Sequence, residues 1–211
     1  MSDFGLVAEG PTDWAVLESI LIGACSWPEE PTIDPVELAP PLQDGKPSGG
    51  WTLVADYLRD KWHEALQFHR YVVVQVDTDI VADLWSHLGR SEPPLPTSEG
   101  VVVEVIAALS QLIDEAHRDR FFFAIGVDEL ECWLLGLVVD ESQRGKRRKT
   151  TGCYALLRSD LSSPGKDKDH SRYVKLSKPL RKRRTLEELA ALNPGFASFV
   201  DQLARVEPLA P

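Results

Sequence analysis

Tyr71-Val-Val-Val-Gln-Val-Asp-Thr-Asp79 is the stretch on which the fold turns. From Tyr71 to Val76 the run is apolar enough to be covered on both faces, the habit of an inner strand in a parallel sheet, and it stops at two aspartates. Two other stretches repeat the pattern. Phe121-Phe-Phe-Ala-Ile-Gly-Val127 runs into Asp128-Glu129-Leu130-Glu131, and Phe4 with Leu6-Val7-Ala8 runs into Glu9-Gly10-Pro11. Between them the apolar period changes to that of a helix. Trp14, Leu17, Ile20 and Leu21 predict a helix to about Gly23, with Thr12 as N-cap and Asp13 in its first turn. Trp51, Val54, Ala55, Leu58, Trp62, Ala65 and Leu66 mark one face of a second helix. A third is expected from Glu99 to His117 and a fourth from Asp128. Strands alternating with helices of this length predict an α/β fold with a mainly parallel sheet flanked by helices.

The remaining segments are less regular. Thr32–Leu38 is a candidate edge strand in a Pro-rich stretch, Asp44–Gly50 and Ser91–Ser98 are loops, and beyond Asp140 the pattern turns basic and irregular. Short helices are expected there near Tyr154–Leu161, Leu186–Leu192 and Phe196–Ala204, which divides the chain into an α/β domain over 1–140 and a basic, mostly helical extension over 141–211. With 211 residues, 43% hydrophobic and 27% charged, the composition is that of an ordinary globular chain. No apolar run reaches the roughly 18 residues that a bilayer span needs, and the first residues do not read as a signal peptide. Cys25, Cys132 and Cys153 form neither a CxxC motif nor a disulfide framework, so they read as unpaired thiols in a reducing cytoplasm. Cys132 and Trp133 read as core residues.

The net charge of −10 hides an asymmetry. From Arg144 to Arg184 there are 15 Lys and Arg against three acids, leaving eight bases and 30 acids for the rest. An acidic body carrying a basic segment suggests contact with phosphates; the plainer reading is a solvated run that offsets the acidic body.

In an open parallel sheet, ligands bind outside the carboxyl ends of the strands. Three strands here end in acids: Glu9, then Asp77 and Asp79, then Asp128, Glu129 and Glu131. Singly, each has a structural reading as a turn acid, a cap or a partner of a helix dipole. Jointly they would repel one another unless a cation lay between them, and hard oxygen donors suit Mg²⁺ or Mn²⁺. Glu131, early in a helix, is placed to reach the rim from the side.

These residues resemble the Toprim domain, shared by topoisomerases, bacterial primases, RNase M5-like maturases and overcoming-lysogenization-defect (OLD) nucleases. Ala8-Glu9-Gly10-Pro11-Thr12-Asp13 looks like the family's V-E-G-x-[TS]-D opening, and Asp77-x-Asp79 like its aspartate pair. Val127-Asp-Glu-Leu-Glu-Cys-Trp-Leu-Leu135 looks like the E-x-E-x-W-L-L element of small Toprim-like proteins in bacterial defence and mobile-element operons. The resemblance spans residues 3–140 and implies a Toprim-like, Rossmann-like fold. Val81 stands where the family often has a third acid, and Glu129 or Glu131 takes that part in the OLD-like branch.

The activity implied is metal-dependent cleavage of a DNA or RNA phosphodiester with two Mg²⁺ or Mn²⁺ ions. The resemblance assigns metal binding to Glu9, Asp77, Asp79, Glu129 and Glu131. It assigns catalysis to Glu9, Asp77, Asp79, Glu131 and a downstream lysine, Lys146 or Lys149, with Lys149 carried forward. Arg144, Lys146, Arg147, Arg148, Lys149, Arg181, Lys182, Arg183 and Arg184 would hold the phosphates. His170 reads as a surface histidine. With no G-x-x-x-x-G-K-[ST] motif, ATP hydrolysis would fall to a partner. The rival from another class is an inactive Toprim-like subunit that docks to or regulates such an ATPase. A sugar-nucleotide transferase is disfavoured by Glu9-Gly10, and a haloacid-dehalogenase-type phosphatase by Ile80-Val81.

Overall fold

The computed structural model describes residues 2–25, 33–39, 42–43, 46–47, 50–79, 81–91, 97–160 and 169–206. The chain enters through β1 (Ser2–Val7), turns at Glu9-Gly10 and runs into α1 (Pro11–Cys25). β2 (Val36–Ala39) follows, then a two-stranded antiparallel hairpin of β3 (Leu42–Gln43) and β4 (Lys46–Pro47). Next come α2 (Trp51–Asp60), α3 (Trp62–Phe68), β5 (His69–Asp77), α4 (Val81–His87) and α5 (Ser98–Ser110). β6 (Phe121–Gly126), α6 (Glu131–Val138) and α7 (Arg144–Arg147) complete the first two thirds. The last third holds α8 (Cys153–Asp160), α9 (His170–Ser177), α10 (Arg183–Ala190) and α11 (Pro194–Leu203).

The main sheet is four-stranded and wholly parallel, in the order β2-β1-β5-β6, so the expected α/β class is what the chain adopts. The period-two alternation of strand side chains divides the core into two layers. Phe4, Leu6, Val73, Phe122 and Ala124 pack on one face beneath α1, α6 and the C-terminal helices. Val7, Val72, Val74, Val76, Phe123 and Ile125 pack on the other beneath α2 to α5. Trp133, expected in the core, is 1% exposed, edge-on to Phe196 and stacked on Phe199.

The segment after Asp140 packs on the α/β part: Tyr173, Leu180, Leu186, Phe196 and Phe199 share one apolar cluster with Phe4 and Leu6. Its closeness is visible at Gly23, where a Cβ would stand 2.1 Å from the Leu180 carbonyl oxygen. For the same reason α1 is buried on nearly every side. At the outer margin of the sheet the Gln202 amide of α11 acts as a substitute strand. Its Oε1 accepts the Phe123 N–H at 2.8 Å and its Nε2 donates to the Phe123 carbonyl at 3.0 Å.

Several element boundaries differ from expectation. The helix expected from Trp51 is interrupted at Lys61, whose φ of −130° leaves the helical region. The helix expected to His117 stops at Ser110; the turn after it carries Ile113 into the core, and a 3-10 helix spans Glu115–Arg120. α4 was not anticipated. α6 begins at Glu131, not Asp128, because Asp128 takes a left-handed φ of 64°. The edge strand covers Val36–Ala39; Thr32 lies outside the described residues, as does the Pro-rich stretch 92–96. Among the described residues no helix is long and apolar enough to cross a membrane.

Candidate carboxylate site

Counting the strands of the main sheet alone, the order is 2-1-3-4. The chain leaves β1 toward one margin and later returns to its other side as β5. The crevice between the carboxyl ends of β1 and β5 is therefore the topological switch point, where open α/β sheets bind ligands. Glu9 and Asp77 occupy it. The Asp77 N–H donates to Glu9 Oε1 at 2.7 Å, the Glu9 N–H donates to Gln75 Oε1 at 3.0 Å, and Gln75 Nε2 donates to Asp77 Oδ1 at 2.9 Å. Residues 66 and 68 positions apart are thus joined in a closed circuit of three hydrogen bonds. Gln75 is fully buried, Asp77 is 7% exposed, Glu9 is half-buried and Asp79 is exposed.

The turn after β6 is stitched to the same edge. Leu130 N–H donates to Asp77 Oδ1 at 2.9 Å, Asp128 N–H to Thr78 Oγ1 at 2.8 Å, and Asp79 N–H to the Asp128 carbonyl at 3.0 Å. The left-handed Asp128 makes this turn tight enough for those donors to reach across. Gly126 is required beneath it, since a Cβ there would stand 2.3 Å from Asp77 Oδ1.

The acids of that turn face a different set of partners. Asp128 Oδ2 accepts the Gly152 N–H at 2.6 Å, and Glu129 Oε2 accepts the Tyr154 N–H at 2.7 Å. Glu131 does not reach the rim from the side: its residue is 0% exposed and Oε1 accepts the Tyr173 hydroxyl at 2.5 Å. Burial, then the charge of Glu131 and its hydrogen bond, then Asp13 raise the Tyr173 phenol above its ordinary range, so it stays a donor. Asp13 itself is 3% exposed in the first turn of α1.

The cysteines correct the expectation of unpaired thiols. Cys132 and Cys153 form a disulfide, and Cys25 is the free, buried cysteine. The bridge ties the start of α6 to the start of α8 at Cys153, which is flanked by Gly152 and Tyr154, whose amides hold Asp128 and Glu129. With it, the inference of a reducing compartment loses its premise.

The two basic runs lie in different places. Lys149 is exposed, and it precedes Gly152 by three residues, so it is within about 11 Å of the Gly152 amide that bonds Asp128. Lys146 is half-buried and Arg148 exposed; Arg147 instead turns inward to the Gly136 carbonyl, with Nη2 at 3.0 Å. Arg144 opens α7. The second run follows Leu180, which packs at Gly23, about 18 Å along α1 from its start at the rim. There Arg181 pairs with Glu18 at 2.9 Å, Arg183 with Glu187 at 3.8 Å and Arg184 with Glu188 at 2.9 Å. Lys182 is exposed, as is His170 at the start of α9; Lys166 and Lys168 lie outside the described residues.

Among the described residues, no three of His, Cys, Asp and Glu are gathered into a group that could hold a metal ion. Mg²⁺, however, keeps several waters and is commonly bound by one or two carboxylates together with substrate phosphates. Glu9 and Asp77, joined across the switch point, fit one such ion; Asp79, exposed two residues on, does not complete a three-ligand group with them. Glu131 does not, because its carboxyl is enclosed with Tyr173. Comparison with family models, with curated proteins and with solved structures returns no match to this chain.

Proposed function

We propose that this chain is a Toprim-like nuclease that hydrolyses phosphodiesters of DNA or RNA with the help of Mg²⁺ or Mn²⁺. The observation that supports it is the hydrogen bond from the Asp77 N–H to Glu9 Oε1 across the switch point. It joins two acids of the resemblance at the position where an α/β sheet of this order takes its ligand. Glu9 and Asp77 would hold the ion, which when bound supplies a water of lowered pKa and neutralises phosphate charge. The chain's own part is to fix those carboxylates, and to offer the cations of Lys146, Arg148 and Lys149 to the phosphates. Arg181, Arg183 and Arg184, each beside a glutamate on the far part of α1 and on α10, contribute little to that contact.

A second reading is supported by the absence of a three-ligand group among the described residues and the enclosure of Glu131. In it, the chain is an inactive Toprim-like subunit that docks to an ATPase partner. One experiment separates the two. Calorimetric titration with Mn²⁺ and cleavage assays on single- and double-stranded DNA and RNA are run on the wild type and on Asp77→Ala/Asp79→Ala. Binding and cleavage that both disappear in the double variant support the nuclease. Cleavage that survives it overturns the site, and a wild type that neither binds Mn²⁺ nor cleaves leaves the docking subunit.

A further inference from the structure

We infer that Gln75 is a positioning residue for the Glu9–Asp77 carboxylate pair, holding it in a geometry that binds a divalent cation; the inference rests on the proposed metal site. Gln75 is the polar side chain in the middle of the apolar run Tyr71–Val76, and it is 0% exposed. An amide taken out of water is costly unless both its ends are bonded. Here both are, and to the two strand ends that carry the candidate ligands.

The orientation of the amide follows from its partners. A backbone N–H can only donate, so the atom facing Glu9 is the oxygen and the nitrogen faces Asp77. Asp77 Oδ1 then accepts from Gln75 Nε2 and also from the Leu130 N–H, so that oxygen is committed as an acceptor twice over. Glu9 Oε1 is likewise committed to the Asp77 N–H. With one oxygen of each carboxylate fixed in the circuit, neither side chain can rotate away from the other without breaking a hydrogen bond in a buried setting. β1 and β5 pair in register through Val7 and Val74, so the backbones are already held together without Gln75. What the amide adds is a direct hold on the Asp77 carboxyl and on the Glu9 backbone, from which the Glu9 carboxyl reaches the Asp77 N–H. An apolar residue at position 75 would leave the β1–β5 pairing in place and remove both bonds to the strand ends, so the amide acts on the site and not on the sheet.

The test is Mn²⁺ affinity, read by calorimetry and by the electron paramagnetic resonance spectrum of the bound ion, in the wild type, Gln75→Met and Gln75→Val. Met keeps most of the volume and Val suits the strand, so one of the two retains the fold if the other does not. The expected result is Mn²⁺ binding at least tenfold weaker in the folded variants, with an altered spectrum and a cooperative melt. Lower melting temperatures with unchanged Mn²⁺ affinity and spectrum would show that the amide merely supports the strand, overturning the inference while leaving the metal site standing. A wild type that binds no Mn²⁺ sinks the metal site and the inference together.

Discussion

At the ends of β1 and β5 the carboxylates share one circuit, Glu9 accepting the Asp77 N–H of the neighbouring strand and Asp77 the Gln75 amide of its own, with Asp79 exposed two residues on. At the end of β6 each carboxylate takes its donor from the last third of the chain: Asp128 from Gly152, Glu129 from Tyr154 and Glu131 from Tyr173. Both groups are acids at the carboxyl ends of neighbouring parallel strands. What separates them is the chain that follows. Where the last third of the chain brings N–H and O–H groups over the turn, the acids become joints of the fold; Glu9 and Asp77 take donors from the strand ends and, through Leu130, from the β6 turn, and form a pair at the switch point.

Four measurements break or sharpen that contrast, beginning with the largest effect. Replacing Cys132 and Cys153 by serine removes a crosslink over 21 positions and is expected to cost about 3 kcal/mol in denaturant unfolding. Hydrogen exchange at the Gly152 and Tyr154 amides should quicken well before that of the Asp77 amide; equal changes at both places would erase the distinction. Glu131→Ala strands the buried Tyr173 hydroxyl and is expected to lose roughly 1.5–3 kcal/mol, the range for a hydrogen bond to a charged group. Glu9→Ala, at a half-buried position, should cost less. The opposite ranking would mean that the circuit, not the β6 turn, carries the stability.

Alkaline pH is expected to act next. Burial pushes the Tyr57 phenol up to about 12, with Glu64 adding to the rise, and Tyr173 is raised as well. Unfolded tyrosine ionises near about 10, so the stabilisation is complete below that pH and is lost as pH climbs through the folded-state values. Melting temperature should fall above pH ~10, and Tyr173→Phe should remove part of that slope; an unchanged slope would place the ionising groups elsewhere. Smallest of all is Arg181→Ala, which opens an exposed ion pair with Glu18 and should shift stability by less than about 1 kcal/mol. A larger loss would give the far basic run a structural weight its exposure does not suggest.

Much of the architecture was legible, and the reason is topological. Apolar runs such as Tyr71–Val76 and Phe121–Val127 need cover on both faces, and the carboxyl ends of parallel strands all lie along one edge. The meeting of Glu9 and Asp77 follows from that alone. Gln75 was missed although its signal is present, since one amide in the midst of valines is a buried polar group that must find partners. The role of Glu131 was not legible, because Tyr173 lies 42 residues away in a segment with little periodicity. Nor does the spacing of Cys132 and Cys153 say that the loop before α8 returns to α6. α6 itself was expected three residues early, because a helix-like sequence of acids gives no sign that Asp128 adopts a left-handed turn.

The Gln202 amide on Phe123 has a consequence for how copies of this protein meet. An outermost strand ordinarily offers a template onto which another chain can add. Here the donor and acceptor of Phe123 are already spoken for by a side chain of the same molecule. Sheet-to-sheet growth through that border would have to evict α11 first, so self-association of this chain is steered toward other surfaces.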